Sequence, residues 1–306
     1  MTLAISGTTG ITLAGQFDSA STFGFKNRLI NGQMQIAQRG TSGTSGSTVP
    51  TTAPTYPSID RWYAYATGAT VTVAQAAGSG ATKNTLQVTG AASVTAVGVG
   101  QRIEQLNSYD LAGSTCTLSV NMSNSLLTTV TWTASYATSA DTWSSKTQIA
   151  TGTFTVTSSL VNYSAQIIVP AAATTGIEIL FTVGAQTSGT WVIGNAQFEK
   201  SSTVATSFDF RSYGTELALC QRYYSISIGA LGGFDSTGSF LQSPVAFPVS
   251  MRAAPTAAVG TVISGAVNLG GISTAFPTIY GCRFQASITV AGHGEAMYYI
   301  TATIEL

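Results

Sequence analysis

The chain has 306 residues, with 12 basic and 12 acidic side chains, so only 8% of it is charged and its formal net charge is zero. Soluble domains average about 25% charged residues; a balanced deficit of this kind offers no basic patch for nucleic acid or an anionic membrane, and gives copies of the chain little reason to repel one another. No run approaches the roughly 18 apolar residues of a membrane span, the opening MTLAISGTTGITLAG lacks the basic start of a signal peptide, and Cys116, Cys220 and Cys282 have no C-x-x-C spacing, so a soluble, unexported chain with buried free thiols is expected.

Residues 1–25 alternate weakly and are rich in Gly and Thr, which reads as an N-terminal arm able to add a strand to a partner's sheet, or as a disordered terminus. Residues 26–210 carry repeated alternation of apolar and polar side chains, the mark of strands with one buried face. It runs through Cys116, Leu118, Val120 and Met122, through Val130, Trp132, Ala134 and Tyr136, through Val161 to Val169, and through Ile177 to Val183. Gly, Ser, Asn and Thr clusters between these runs supply turns, so an antiparallel sandwich or jelly roll is predicted. Within it Gly40–Pro57, GTSGTSGSTVPTTAPTYP, is low-complexity and is expected to form a surface loop. Residues 211–224 hold the one helical signal: Thr215–Tyr224, capped by Ser212 or Thr215, places Leu217, Cys220 and Tyr224 on one face. Residues 225–306 form a second, smaller antiparallel β domain, closed by the alternating run Tyr298, Ile300, Ala302, Ile304 and Leu306.

Catalytic chemistry has few carriers. The sole histidine, His293, sits between glycines in AGHGEA and reads as a turn residue, and the six Asp and six Glu fall in no glycosidase motif. G-x-S-x-G, G-x-x-x-x-G-K and G-x-G-x-x-G are absent, so a non-enzymatic protein is expected. Binding is better supplied by aromatic rings, on whose faces sugars stack. Trp143, in TSADTWSSKTQ, is flanked by polar turn formers and is expected to be an exposed ligand contact, the alternative being packing on the sandwich edge. Tyr136, on the strand leading into that turn, either shares this surface or faces the core, while Trp62, Trp132 and Trp191 fit strand patterns and are assigned to the core.

The run FKNRLINGQMQIAQRGTS from Phe25, then YPSIDRWYAY from Tyr56, and finally IGNAQFEKSSTVATSFDFRSYGTELALCQRYY from Ile193, resembles a domain common in phage and prophage tail proteins. The spacing of N-G, Q-R-G and D-R-W carries the resemblance, which spans about residues 20–225. It implies a jelly-roll fold like that of carbohydrate-binding modules, with Asp60, Arg61 and Trp62 as a fold signature. It also implies that Asn31 and Glu199, near the chain ends of the module, are the positions to test for a structural calcium. The expected role is a virion-surface protein, a homotrimeric tail fibre or receptor-binding appendage whose arm docks to other virion proteins and whose outer domains meet a host surface glycan. The alternatives are a capsid decoration or head-fibre protein and a glycan-cleaving tailspike.

Overall fold

The computed structural model describes residues 4–6, 10–12, 25–45, 55–200 and 204–306. Of the expected arm, β1 (Ala4–Ser6) and β2 (Gly10–Thr12) pair antiparallel, and almost all the rest lies outside the described residues.

Alternating Thr and Val build two sheets that face each other across one apolar layer. The six-stranded sheet contains β3 (Ser42–Ser45), β5 (Val71–Ala77), β6 (Asn84–Thr89), β8 (Thr115–Asn124), β11 (Val161–Ile168) and β13 (Thr190–Lys200), in the order β11-β8-β13-β6-β5-β3. The five-stranded sheet contains β4 (Tyr63–Thr67), β7 (Ala96–Ile103), β9 (Thr129–Ser139), β10 (Thr142–Thr155) and β12 (Ile177–Val183), in the order β10-β9-β12-β7-β4. All of these pairings are antiparallel. Trp62, Trp132, Trp191, Phe181 and Phe198 lie between the sheets with Leu118, Val120 and Ile179. The three cysteines are free and buried, and burial pushes the Cys116 thiol up to about 12, so it behaves as a small apolar side chain.

The expected loop Gly40–Pro57 is corrected in part, because Ser42–Ser45 pairs with Ala74 to Val71 as an edge strand; residues 46–54 lie outside the described residues. Edge pairing needs backbone hydrogen bonds and no apolar side chains, so composition alone hides it.

Asn31-Gly32 lies beside β13, where Arg28 N donates to the Phe198 carbonyl at 2.8 Å and Ala196 N to that of Gly32 at 2.9 Å. The two ends of the sandwich sequence are thereby tied together. The helix α1 spans Tyr213–Gln221, starting two residues earlier than its sequence signal, and Ser212 makes no side-chain cap. Instead the Ser212 and Thr215 hydroxyls bond to each other at 2.8 Å. Tyr224 is not on the helix face; it opens the next strand, and Arg39 stacks on its ring at 3.7 Å.

The remaining chain forms a small second sandwich of β14 (Tyr224–Asp235), β15 (Phe240–Ala246), β16 (Thr256–Val267), β17 (Leu269–Ala275), β18 (Gly281–Ile288) and β19 (Gly292–Thr303). Its sheets run β14-β19-β16 and β15-β18-β17 and enclose Leu231, Val245, Met251, Phe284, Ile300 and Ala302. His293 belongs to β19 and not to a turn; its ring lies 4.9 Å from that of Phe234. The alternation read through Leu306 leaves the strand at Thr303. Ile304 N then donates to the Tyr223 carbonyl at 2.8 Å, and Leu306 enters the interface with the first sandwich. Mainly antiparallel β, with one short helix joining a larger and a smaller sandwich, is thus the fold. Among the described residues no helix is long and apolar enough to cross a membrane.

Candidate functional site

The residues singled out in the sequence gather chiefly at the interface between the two sandwiches. A small apolar cluster there contains Ile30, Ile36, Ala137, Trp143, Cys220, Tyr223 and Leu306. Trp143 is therefore not the exposed platform expected from its polar neighbours: it is 5% exposed, and the Arg102 guanidinium lies 5.2 Å from its ring. The cause is the turn before it. Asp141 accepts from Gln105 N at 2.7 Å and pairs with Arg252 at 3.1 Å, which folds the β9–β10 hairpin tip onto the interface. Tyr136 is half-buried and packs against the main core, so the two rings form no common open surface.

Charged side chains surround the apolar cluster in interlocked pairs. Arg61 pairs with Glu305, donates to the Arg102 carbonyl at 2.7 Å and stacks on the Tyr223 ring at 3.6 Å. Arg39 bridges Glu305 at 2.9 Å and Asp60 at 3.3 Å. Arg102 pairs with Glu178 at 3.0 Å and donates to the Leu306 main-chain oxygen at 2.9 Å, and the Tyr56 hydroxyl donates to that same oxygen. Burial raises the Asp60 carboxyl from its ordinary 3.8 to about 6, against the opposing pull of Arg39 and the Gln38 hydrogen bonds. Burial likewise raises Tyr223 to about 12, and Glu216 upward against Arg211. Trp62 lies in the core and donates to the Asn31 carbonyl at 3.0 Å, so the D-R-W run joins core, network and second domain.

Asn31 and Glu199 do not fit a calcium ion. The Asn31 side-chain oxygen accepts from Ile36 N at 3.0 Å, and its amide donates to the Ile36 and Asp60 carbonyls at 2.8 and 2.9 Å. Glu199 accepts from Gln197 at 3.0 Å and from Thr206 at 2.9 and 2.7 Å. Oxygens already facing N–H and O–H donors are not arranged to face a cation, which needs six to eight converging oxygens. Among the described residues no three of His, Cys, Asp and Glu gather as a metal site.

Aromatic side chains on the outer face of the five-stranded sheet are also closed off. Tyr63 and Tyr65 lie over Gly98 and Gly100, where any Cβ would collide with the rings, and both tyrosines are buried.

An open site appears on the second sandwich instead. A groove of about 620 Å³ runs over β15 and β18 and under the loop between β17 and β18, within the roughly 300–1,000 Å³ typical of ligand sites. Its rim carries Phe276 and Tyr280, which are 70% and 68% exposed, with Gln242, Pro244, Thr278 and Arg283 beside them. The loop is held in place: Thr278 N donates to the Gly281 carbonyl, Tyr280 N to the Thr278 hydroxyl, and Phe247 N and Met251 N to the Tyr280 and Ile279 carbonyls. Phe276 has φ of 49°, a left-handed conformation rarely adopted by a bulky residue, and precedes Pro277. At Gly281 a Cβ would lie 2.3 Å from the Val245 carbonyl oxygen, so only glycine permits this close floor.

Sequence reasoning missed this groove. Its available signal was AFPTIYGCR: two aromatics and a cation among turn formers, in a domain that has no Lys and whose only arginines are Arg252 and Arg283.

No family model and no curated protein matches the chain. Among solved structures it is similar to a sugar-binding protein from Bacteroides thetaiotaomicron VPI-5482, with 13% identity and a TM-score of 0.40 over 57% of this chain and 100% of that one. It is also similar to a CBM4 carbohydrate-binding module, with 14% identity and a TM-score of 0.39 over 56% and 98% of the two chains. A third similar structure is the enzymatically active domain of tailspike protein 4 of bacteriophage CBA120, with 15% identity and a TM-score of 0.36 over 57% of this chain and 21% of that one.

Proposed function

We propose that the chain is a non-enzymatic structural protein of a bacteriophage particle, a tail fibre or receptor-binding appendage that recognises glycans on the host surface. The N-G, Q-R-G and D-R-W spacing supports the virion assignment, and the groove carries the recognition reading. Two exposed rings on a loop whose backbone is already tied down by hydrogen bonds present flat apolar faces at a reduced ordering cost, which favours stacking of a sugar.

The same reading makes the protein a homotrimer attached to other virion proteins through its N-terminal arm. The outer face of the β14-β19-β16 sheet supports assembly from identical copies. Ile228 and Tyr299 are exposed there as cross-strand partners, beside Ala230 and Met297. Three weak groove sites on one particle would then act together through effective concentration.

The test is adsorption of labelled protein to a panel of bacteria. Binding should fall after periodate oxidation of surface sugars and in Tyr280→Ala, with the melting temperature of that variant unchanged. Adsorption indifferent to both treatments would overturn glycan recognition. Light scattering should return three times the 31.4 kDa chain mass, and a monomer would overturn the trimer. Antibody label in electron micrographs should decorate the tail, whereas label confined to the capsid would overturn the tail placement.

A further inference from the structure

The protein contains eight arginines, and seven of them face a carboxylate. Arg283 is the exception among the described residues: its side chain is exposed, faces no carboxylate, and its guanidinium lies over the Phe276 ring at 4.8 Å. The half-buried Arg28, by contrast, is paired with Asp110 at 2.6 Å. The lining of the groove contains no Asp or Glu to neutralise it. The carboxylates of the second sandwich are engaged elsewhere: Asp235 accepts from Ser236 N, Glu295 faces His293, and Glu305 holds Arg39 and Arg61.

We infer that the groove takes an anionic saccharide, one whose carboxylate or phosphate is bound by Arg283 while its ring stacks on Phe276 or Tyr280. The inference rests on the glycan-recognition reading and adds the chemical class of the sugar. Stacking covers the planar face of the guanidinium but leaves its N–H edges free, and those edges match an oxyanion in a two-point contact. The Phe276 ring, carried on a left-handed backbone position beside a hydrogen-bonded loop, holds the guanidinium 4.8 Å from its centroid with no ligand present. Gln242 and Thr278, on the groove lining, add neutral donors and acceptors suited to sugar hydroxyls.

The test uses the full chain on an array of bacterial surface saccharides in three classes: neutral, uronate-bearing and phosphodiester-bearing. Wild type should bind one or both anionic classes, with a signal that weakens as salt rises. A charge-assisted contact contributes on the order of tenfold to a hundredfold in affinity, so Arg283→Gln should lose at least about tenfold on those spots, and Arg283→Lys should lose less. Circular dichroism and melting should match wild type for both variants, since the side chain is exposed. Which anionic class is retained identifies the oxyanion. Binding to neutral saccharides alone, lost in Tyr280→Ala but unchanged in Arg283→Gln, would overturn the anionic inference and leave glycan recognition standing. Binding to no class would overturn both.

Discussion

Glu305→Gln removes the charge that two arginines share across the interface between the sandwiches. Arg61 has almost no alternative: its side chain is 1% exposed, its other contacts are the Arg102 carbonyl and the Tyr223 ring, and its Nε has no partner among the described residues. Arg39 keeps Asp60. Removing one member of a buried pair costs about 3–5 kcal/mol, because the remaining charge stays out of water without its counter-ion. Glutamine retains an acceptor, so the lower end, about 3 kcal/mol, is expected. At about 1.4 kcal/mol per decade this is a rise of more than a hundredfold in the opening of the interface. Hydrogen exchange followed by mass spectrometry should show it as lost protection in β19 and α1, while the β8 and β12 amides of the first sandwich keep theirs. A double variant, Arg61→Met with Glu305→Leu, should recover most of the loss, since apolar replacement of a whole buried pair is often neutral. A change below about 1 kcal/mol in the single variant would refute the reasoning and make the network incidental to docking.

Two further outcomes follow from the same region. The folded-state pKa of Asp60, about 6, lies above its ordinary 3.8, so the folded protein holds a proton there that the unfolded chain has released. Stability should therefore fall as pH rises from about 4 to 6, by on the order of 3 kcal/mol for a shift of about two units. Asp60→Asn should flatten that slope in urea melts, and an unaltered slope would show that burial of this carboxyl is not its source. Trp143→Ala should cost about 3–5 kcal/mol by opening a cavity in the interface, measured as a lower unfolding midpoint, with glycan-array binding unchanged. Lost binding at full stability would return the ring to the ligand site.

The fold class was legible because alternation is local. Cys116 to Met122, Val130 to Tyr136 and Ile177 to Val183 each declare a strand and its buried face without reference to anything distant, and the structure places β8, β9 and β12 there. The helix was legible to within about three residues at either end, since its formers and its apolar spacing lie within one short segment. Where local composition and tertiary contact disagreed, composition misled. Trp143 sits among Ser, Thr, Asp and Lys, which argue for solvent, yet its neighbours in space are Ile30, Cys220 and Leu306. Edge strand β3 hid in a low-complexity run for the complementary reason: its partner is a backbone thirty residues away.

The sequence by itself determined that this is an antiparallel β protein with few charges and with tryptophans for its first core. Tertiary structure alone decided where the charges and exposed rings went. Ion pairing is set by which side chains meet after the chain has folded, and residues such as Arg61 and Glu305 carry no periodicity that would announce the meeting. Nor does sequence distinguish Arg283 from the seven other arginines. It becomes a candidate binding residue only because folding gives each of them a carboxylate and leaves Arg283 beside two open rings.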